Sequence, residues 1–246
     1  MYKCNILLAN MCRMNAAMHA LLHTNNTDNI LATQEPWFGQ IGTQRVDGER
    51  AGTAVKGGVK HPDWNVFYPY YTSDRIAKVI TYVRKFSRTH NRKLSPIRTV
   101  PRLDLARHPT LLITDHYIGT TLLRLINFYH DVVDKTSLRS LLTLDLDPTV
   151  PTLLIGDFNL HSYSWSPPGL SPSPWSRNLE AWAAAQTFDL ETSPGDITRR
   201  NHDGECPSTL DLTWHNLAAA VSTPLTPPTI DWAATLGSDH ASIRTL

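Results

Sequence analysis

The sequence has no long hydrophobic run. Near the amino terminus the only apolar run is Ile6 to Ala9, bounded by Asn5 and Asn10, far short of the roughly 20 residues of a membrane helix or the apolar region of a secretory signal. Nothing therefore addresses the chain to a membrane. Cysteine is scarce. Cys4, Cys12 and Cys206 are odd in number and lack C-x-x-C spacing, which suggests neither a disulfide framework nor a zinc site, and a reducing compartment is the simpler setting. The regular strand-helix alternation and G-x-G-x-x-G turn of a dinucleotide fold are missing, as is the phosphate loop of an NTPase. Net charge is only +1, which by itself gives no reason to expect a polyanionic partner.

What is present is an ordinary folded composition, 41% hydrophobic and 18% charged over 246 residues, without the signature of disorder. Lys3 to Ala9 reads as a buried strand. Met14, Ala17, Met18, Leu21 and Leu22 follow at the spacing of an amphipathic helix. Ile30 to Thr33 predicts a second strand with Glu35 near its carboxyl edge. The glycines between Gly39 and Gly58 predict a flexible loop. Further strands are expected at Trp64 to Phe67, Ile76 to Val83, Leu111 to His116, Leu122 to Phe128, Thr152 to Ile155, Leu210 to Trp214 and Ala241 to Ile243. One helix is expected around Leu138, Leu141 and Leu142, and another around Leu179, Trp182, Ala183 and Gln186, with Ser176 available as its cap. The proline-rich breaks at Pro167 to Pro174 and Pro224 to Pro228 are too short for linkers, so residues 1–246 are expected to form a single domain. The result is an α/β chain with more strands than helices.

Charge is unevenly spread. Arg75, Lys78, Arg84, Lys85, Arg88, Arg92, Lys93, Arg98, Arg102 and Arg107 face a single acid, Asp104, in the same stretch. Such a run suits a phosphate-facing surface, and equally a solvated loop. The strongest chemical signal is TLLIGDFNLH, Thr152 to His161, an apolar strand emptying into Gly156, Asp157, Phe158 and Asn159. On an extended backbone Asp157 and Asn159 point to one side and can meet one ligand, although Asp-x-Asn after a strand also serves as a plain turn. Gly237, Ser238, Asp239 and His240 set a carboxylate beside a group that titrates near neutrality; such pairs also occur as surface residues and caps. Gln34 and Glu35 end a strand, and Asn10 follows the first. Asp211 lies inside the apolar STLDL segment, where a buried carboxylate needs a partner, either backbone or an imidazole it orients.

In this order the elements resemble the endonuclease/exonuclease/phosphatase superfamily over essentially the whole chain. NAAMHALL after Asn10, ATQEPW, LLRLINFYHD and GDFNLH look most like the endonuclease domain of LINE-like, non-LTR retrotransposons. The resemblance implies a four-layered α/β/β/α sandwich with two mixed β-sheets face to face. It also implies a nicking endonuclease that acts on DNA and leaves a 3′-hydroxyl to prime a reverse transcriptase. By position, Glu35 would ligate Mg²⁺ or Mn²⁺, supported by Asn10 and Asp239. Asp157 would align or deprotonate the attacking water, and Asn159 would hydrogen-bond the scissile phosphate. His240 would donate to a phosphate oxygen or transfer a proton, oriented by Asp211. Tyr129 would contact the phosphate or assist the nucleophile, and His161 would join the substrate-binding set. Glu35, Asp157, Asp211 and Asp239 would repel one another without a cation, which implies metal dependence.

Three positions depart from the family pattern. Leu8 stands where glutamine is common, His130 where asparagine is frequent after Tyr129, and Ser162 where a second histidine often follows His161. Tyr163, Trp165 and Trp175 flank the GDFN strand, either as base-stacking groups or as core. The sequence closes six residues after His240, so a separated fragment, a truncated gene or a domesticated copy is expected, and the resemblance implies as partner a reverse transcriptase normally encoded in the same polyprotein. The setting is intracellular, and nuclear if chromosomal DNA is nicked. The alternatives are the same fold acting on abasic DNA or phosphorylated lipid head groups, and a noncatalytic nucleic-acid-binding relic.

Overall fold

The computed structural model describes residues 4–44, 53–71, 75–85, 88–89, 92–93, 97–200, 206–222 and 226–245. The chain opens with β1 (Ile6–Asn10), α1 (Asn15–Thr24), β2 (Ile30–Gln34), β3 (Phe38–Gln44), β4 (Thr53–Gly58), β5 (Trp64–Phe67) and β6 (Val79–Arg84). It continues through the short β7 (Arg88–Thr89) and β8 (Arg92–Lys93), then β9 (Arg98–Pro101), β10 (Leu111–Ile118), β11 (Thr121–Tyr129) and α2 (Thr136–Leu142). The last part holds β12 (Thr152–Asp157), α3 (Ser176–Ala185), β13 (Phe188–Leu190), β14 (Asp211–Asn216), α4 (Leu217–Ser222), β15 (Thr229–Asp231) and β16 (Ser242–Thr245).

Among the described residues, two sheets of six strands carry the fold, ordered β15-β16-β1-β2-β6-β5 and β13-β14-β12-β11-β10-β9. Each is mixed: β1 runs parallel to β2, and β11 parallel to β12, while the other pairings are antiparallel. Alternation along the strands sorts their side chains into layers. Ile6 and Leu8 of β1, Ile30 and Ala32 of β2, Leu123 and Leu125 of β11, and Leu153 and Ile155 of β12 share one apolar layer between the sheets. The opposite faces bury Leu7, Ala9 and Leu31 against Met18, Leu21 and Leu22 of α1. They also bury Leu154, Leu212 and Trp214 against Leu138, Leu141, Leu179 and Trp182 of α2 and α3. Both sheets are therefore apolar on both faces, and the molecule is the expected α/β/β/α sandwich.

Several local expectations need correction. The glycine-rich stretch is not a simple loop: β3 and β4 pair antiparallel, with an irregularity between Gln40 and Gly42. Glycine serves packing there. A Cβ on Gly58 would lie 2.5 Å from Ile80 Cδ1 and 2.9 Å from Tyr82 Oη. Gly48 and Gly52 lie outside the described residues. The first strand begins at Ile6, and Lys3 is outside the described residues. Ser176 does not cap α3; it is buried and donates to the Ser173 carbonyl at 2.9 Å, while Trp175 holds the cap position without a side-chain bond. Of Pro224 to Pro228, residues 226–228 have no regular structure and the rest lies outside the described residues.

Several cations of the basic stretch are engaged by the protein itself. Arg75 pairs with Asp134 and Lys78 with Asp131. Arg102 bridges Asp104 and Asp115, whose other oxygen holds the buried Arg124. Arg84 lies over the Trp64 ring, and Arg98 over Tyr117. Among the described residues, these five side chains of the stretch are thus engaged within the protein. The side chains of Arg88, Arg92 and Lys93 lie outside the described residues.

Candidate active site

Both sheets bring strand ends to one mouth. The parallel pairs β1/β2 and β11/β12 finish there, and β14 and β16 run antiparallel to them and start there. Parity then selects which side chains appear. Asn10 continues the Ile6, Leu8 series, Gln34 the Ile30, Ala32 series, and Asp157 the Leu153, Ile155 series, so each polar residue caps the inter-sheet layer. In register across the second sheet stand Tyr129, Asp157 and Asp211. The floor of the mouth is an amide bridge between the sheets, Gln34 Nε2 donating to Asn127 Oδ1 at 2.6 Å. Asn127 Nδ2 in turn donates to the Ile80 carbonyl at 3.1 Å.

Gly156 explains its own place before the acid. A Cβ there would lie 1.9 Å from the Phe128 carbonyl oxygen of β11, so only glycine lets β12 approach its parallel neighbour and deliver Asp157 in register.

The deep part of the site joins the sheets. Asn10 Nδ2 donates to Asp157 Oδ2 at 2.9 Å. His240, from the segment before β16, meets Asp211 Oδ2 through Nδ1 at 2.8 Å. Its Nε2 lies 4.0 Å from Asp157 Oδ2 and 3.9 Å from Asp239 Oδ1. Asp157, Asp211 and His240 are all buried, and each offers a ligand atom within 4.8 Å of the others. Asp211 Oδ1 is buried with no hydrogen-bond partner among the described residues. Burial pushes the Asp157 carboxyl up to about 7, against the pull of the nearby imidazole. Burial alone would keep His240 neutral, but Asp211, then Asp157 and Asp239, raise it to about 9. An imidazole that keeps its proton at neutral pH is a poor metal ligand and a good hydrogen-bond donor. His240 therefore reads as a donor rather than a ligand, despite its place in the cluster.

The rim is built differently. Glu35 follows β2 with φ 41°, and Arg13 reaches it through Nη2 at 2.6 Å and Nε at 3.1 Å. The Tyr129 phenol faces Glu35; burial first, then the charges of Glu35, Asp157 and Asp131, hold that phenol protonated. Asp239 Oδ2 accepts from Arg199 Nε at 3.0 Å, and its Oδ1 lies 3.4 Å from the Cys12 thiol. Cys12 also sits 3.2 Å from Ser238 Oγ. Glu35, Asp211 and Asp239 thus each have a cationic partner in the protein, Arg13, His240 and Arg199. Repulsion among those three is eased by side chains, whereas Asp157 has only the His240 imidazole at 4.0 Å and shares with Asp211 and His240 a buried cluster of metal-ligating groups.

Two further placements change the sequence reading. The strand ends at Asp157, and Asn159 has φ 46°, so the alternation argument does not apply to that pair. Asn159 instead turns back, its amide donating to Asp157 Oδ1 at 3.1 Å and its side chain to the His130 carbonyl at 3.1 Å. His161 is half-buried, its backbone N–H held by Ser173 Oγ at 2.9 Å. Its imidazole is kept below the usual range by burial and then by nearby Arg199.

Residues 123–244 match a family described as endonuclease-reverse transcriptase. The structure is similar to the endonuclease domain of TRAS1, a telomere-specific non-LTR retrotransposon, with a TM-score of 0.72 and 15% identity over 99% of this chain and 97% of that one. The chain carries the endonuclease/exonuclease/phosphatase fold. The resemblance to this superfamily, with a retrotransposon endonuclease among its members, holds in sequence and structure. The AP endonuclease LMAP from Leishmania major shares the fold at a TM-score of 0.60 and 13% identity, covering 98% of this chain and 86% of that one. A mutant beta toxin from Staphylococcus aureus with bound magnesium ions shares it at 0.53 and 11%, over 99% of each chain. No curated protein matches the sequence.

Within the superfamily fold, two hydrogen-bonded pairs, Asn10 with Asp157 and Asp211 with His240, meet at 4.0 Å, with Glu35 and Tyr129 beside them and Asp239 near His240. Sequence reasoning missed Arg13, Cys12, Arg199 and Asn127. Asn127 had a signal, since a polar residue interrupts LLRLINFY on the inward parity; the others had none. Trp165 is core, while Tyr163 is 80% exposed and Trp175 45% exposed.

Proposed function

We propose that this chain is a divalent-metal-dependent phosphodiesterase, a DNA-nicking endonuclease of retrotransposon origin acting as one domain over residues 1–246. The observation that carries the reading is a buried imidazole-carboxylate pair, His240 and Asp211, set against a second buried carboxylate, Asp157, at a mouth rimmed by Glu35.

The donors suit a hard cation. Glu35, Asn10 and Asp239 offer oxygen ligands, and Asp211 Oδ1, without a hydrogen-bond partner among the described residues, adds an unsatisfied acceptor behind them. These three residues would hold Mg²⁺ or Mn²⁺, which when bound sets positive charge against the phosphate. Asp157, with its carboxyl near 7, aligns a water and accepts its proton. Asn10 and the Asn159 amide keep that carboxylate in place. His240 donates from Nε2 as negative charge grows on a phosphate or leaving oxygen, while Asp211 fixes the ring through Nδ1. Tyr129 offers a protonated phenol and Asn159 a carboxamide to the phosphate, and His161 stands on the substrate side. DNA is the partner in this reading, a reverse transcriptase takes the 3′-hydroxyl, and action on chromosomal DNA sets the work in the nucleus.

The test is conversion of supercoiled plasmid to open circles in Mg²⁺ or Mn²⁺ at low salt. Nicking is expected to stop with EDTA and to fall roughly 100-fold to 10,000-fold in Glu35→Ala and His240→Ala, the range of lost acid-base and electrostatic help. Folded protein that nicks nothing in either metal would defeat the reading. Cleavage confined to an abasic duplex would move the substrate to that of the AP endonucleases, and binding without cleavage would leave a relic.

A further inference from the structure

We infer that Arg13 is the resident counter-cation of Glu35, a placeholder that a divalent ion displaces, so that Arg13 sets the metal affinity of the site. The inference rests on the metal-dependent reading above. Two of the three guanidinium nitrogens, Nη2 at 2.6 Å and Nε at 3.1 Å, address the single oxygen Oε1 of Glu35. A cation that takes this oxygen as ligand competes with both bonds. The backbone leaves little choice of partner. Cys12 and Arg13 are both left-handed, with φ 44° and 59°, and the Arg13 amide donates to the Glu35 carbonyl at 2.7 Å. Residue 13 is thereby tied to residue 35 by main chain as well as side chain, and strained non-glycine backbone persists where the surroundings impose it.

The pair is also built to open. The Arg13 side chain is 60% exposed and that of Glu35 19%. A guanidinium in that position exchanges its carboxylate for water at small cost, because exposed ion pairs are weak and screened by salt. Asp157, buried deeper in the same mouth, has no such exit. Once displaced, Arg13 remains tethered at the rim as a planar two-pronged donor, the geometry that recognises a phosphate. One residue therefore neutralises the rim carboxylate in the free protein and offers a phosphate donor when the carboxylate is otherwise engaged.

Mn²⁺ binding to the whole chain without DNA, followed by the electron paramagnetic resonance of the free ion, tests this apart from catalysis. Arg13→Gln is expected to bind Mn²⁺ about twofold to fivefold tighter than wild type at low salt, with Arg13→Lys between them. Higher monovalent salt should narrow the gap. Should Arg13→Gln fail to fold by circular dichroism, Arg13→Asn, better suited to left-handed backbone, takes its place. Equal or weaker Mn²⁺ binding by the folded variant overturns the inference and leaves the metal reading standing. No Mn²⁺ binding by either protein overturns both.

Discussion

Glu35 and Asp157 are carboxylates brought to one mouth by different sheets, and the fold neutralises them in opposite ways. Glu35 sits at the rim with a mostly exposed arginine on it, so its charge is balanced by a side chain that can leave. Asp157 is 1% exposed, bonded to amides alone, and shares its surroundings with Asp211 and His240. There the balance is made with protons. Asp211, as deep as Asp157, is paired with His240, so the difference teaches that burial shifts an acid's ionisation state only where the fold sets no cation in hydrogen-bond contact with it.

The comparison breaks most visibly in stability. The unfolded Asp157 carboxyl ionises near 4 and the folded one near 7. A raised carboxyl stabilises below the unfolded value and loses that contribution as pH rises through the folded one. Asp157→Asn is therefore expected to stabilise the chelated protein by on the order of a few kcal/mol at pH 8, and by almost nothing at pH 4, while abolishing nicking. Urea titrations at both pH values check this; equal effects would remove the distinction between rim and depth.

Next in size is the pH profile. His240 keeps its proton to about 9 because Asp211 and then Asp157 outweigh its burial. In Asp211→Asn the alkaline limit of nicking should fall by about one unit or more, readable also as a shifted imidazole titration by NMR. An unmoved limb would mean that another group sets it. The smallest effect belongs to the rim. Glu35→Gln, which loses an exposed pair, should change stability by no more than about 1 kcal/mol, and less in high salt. A large loss would show that Arg13 and Glu35 hold the fold.

Much of this was legible because period-two strands end in polar residues of the same parity. Ile6, Leu8, Asn10 and Leu153, Ile155, Asp157 each predict a chemical group at the mouth of an apolar layer. The motif order then supplied the pairing of Asp211 with His240, which spacing alone left open. What escaped depended on backbone states that sequence does not announce. Cys12, Arg13, Glu35 and Asn159 are left-handed without being glycine, and those turns create the Arg13–Glu35 pair and send Asn159 back onto Asp157. The β3–β4 pair escaped for the reverse reason, since glycines that permit tight packing look the same as glycines that permit motion. Trp165 and Tyr163 sit two places apart in one aromatic loop, yet one is core and the other surface.

Gly156 and Asp157 also bear on how a decaying copy of such a gene would drift. Adding a single carbon at Gly156 would press into the Phe128 carbonyl, so a chain that no longer cut anything would still be held to glycine there by the need to fold. Its neighbour is under no such compulsion. Losing the Asp157 charge relieves a buried carboxylate, and a lineage selected only to fold would profit from the change. Of two adjacent letters in GDFN, the glycine answers to the packing of β12 on β11, while the buried aspartate brings the fold no such benefit.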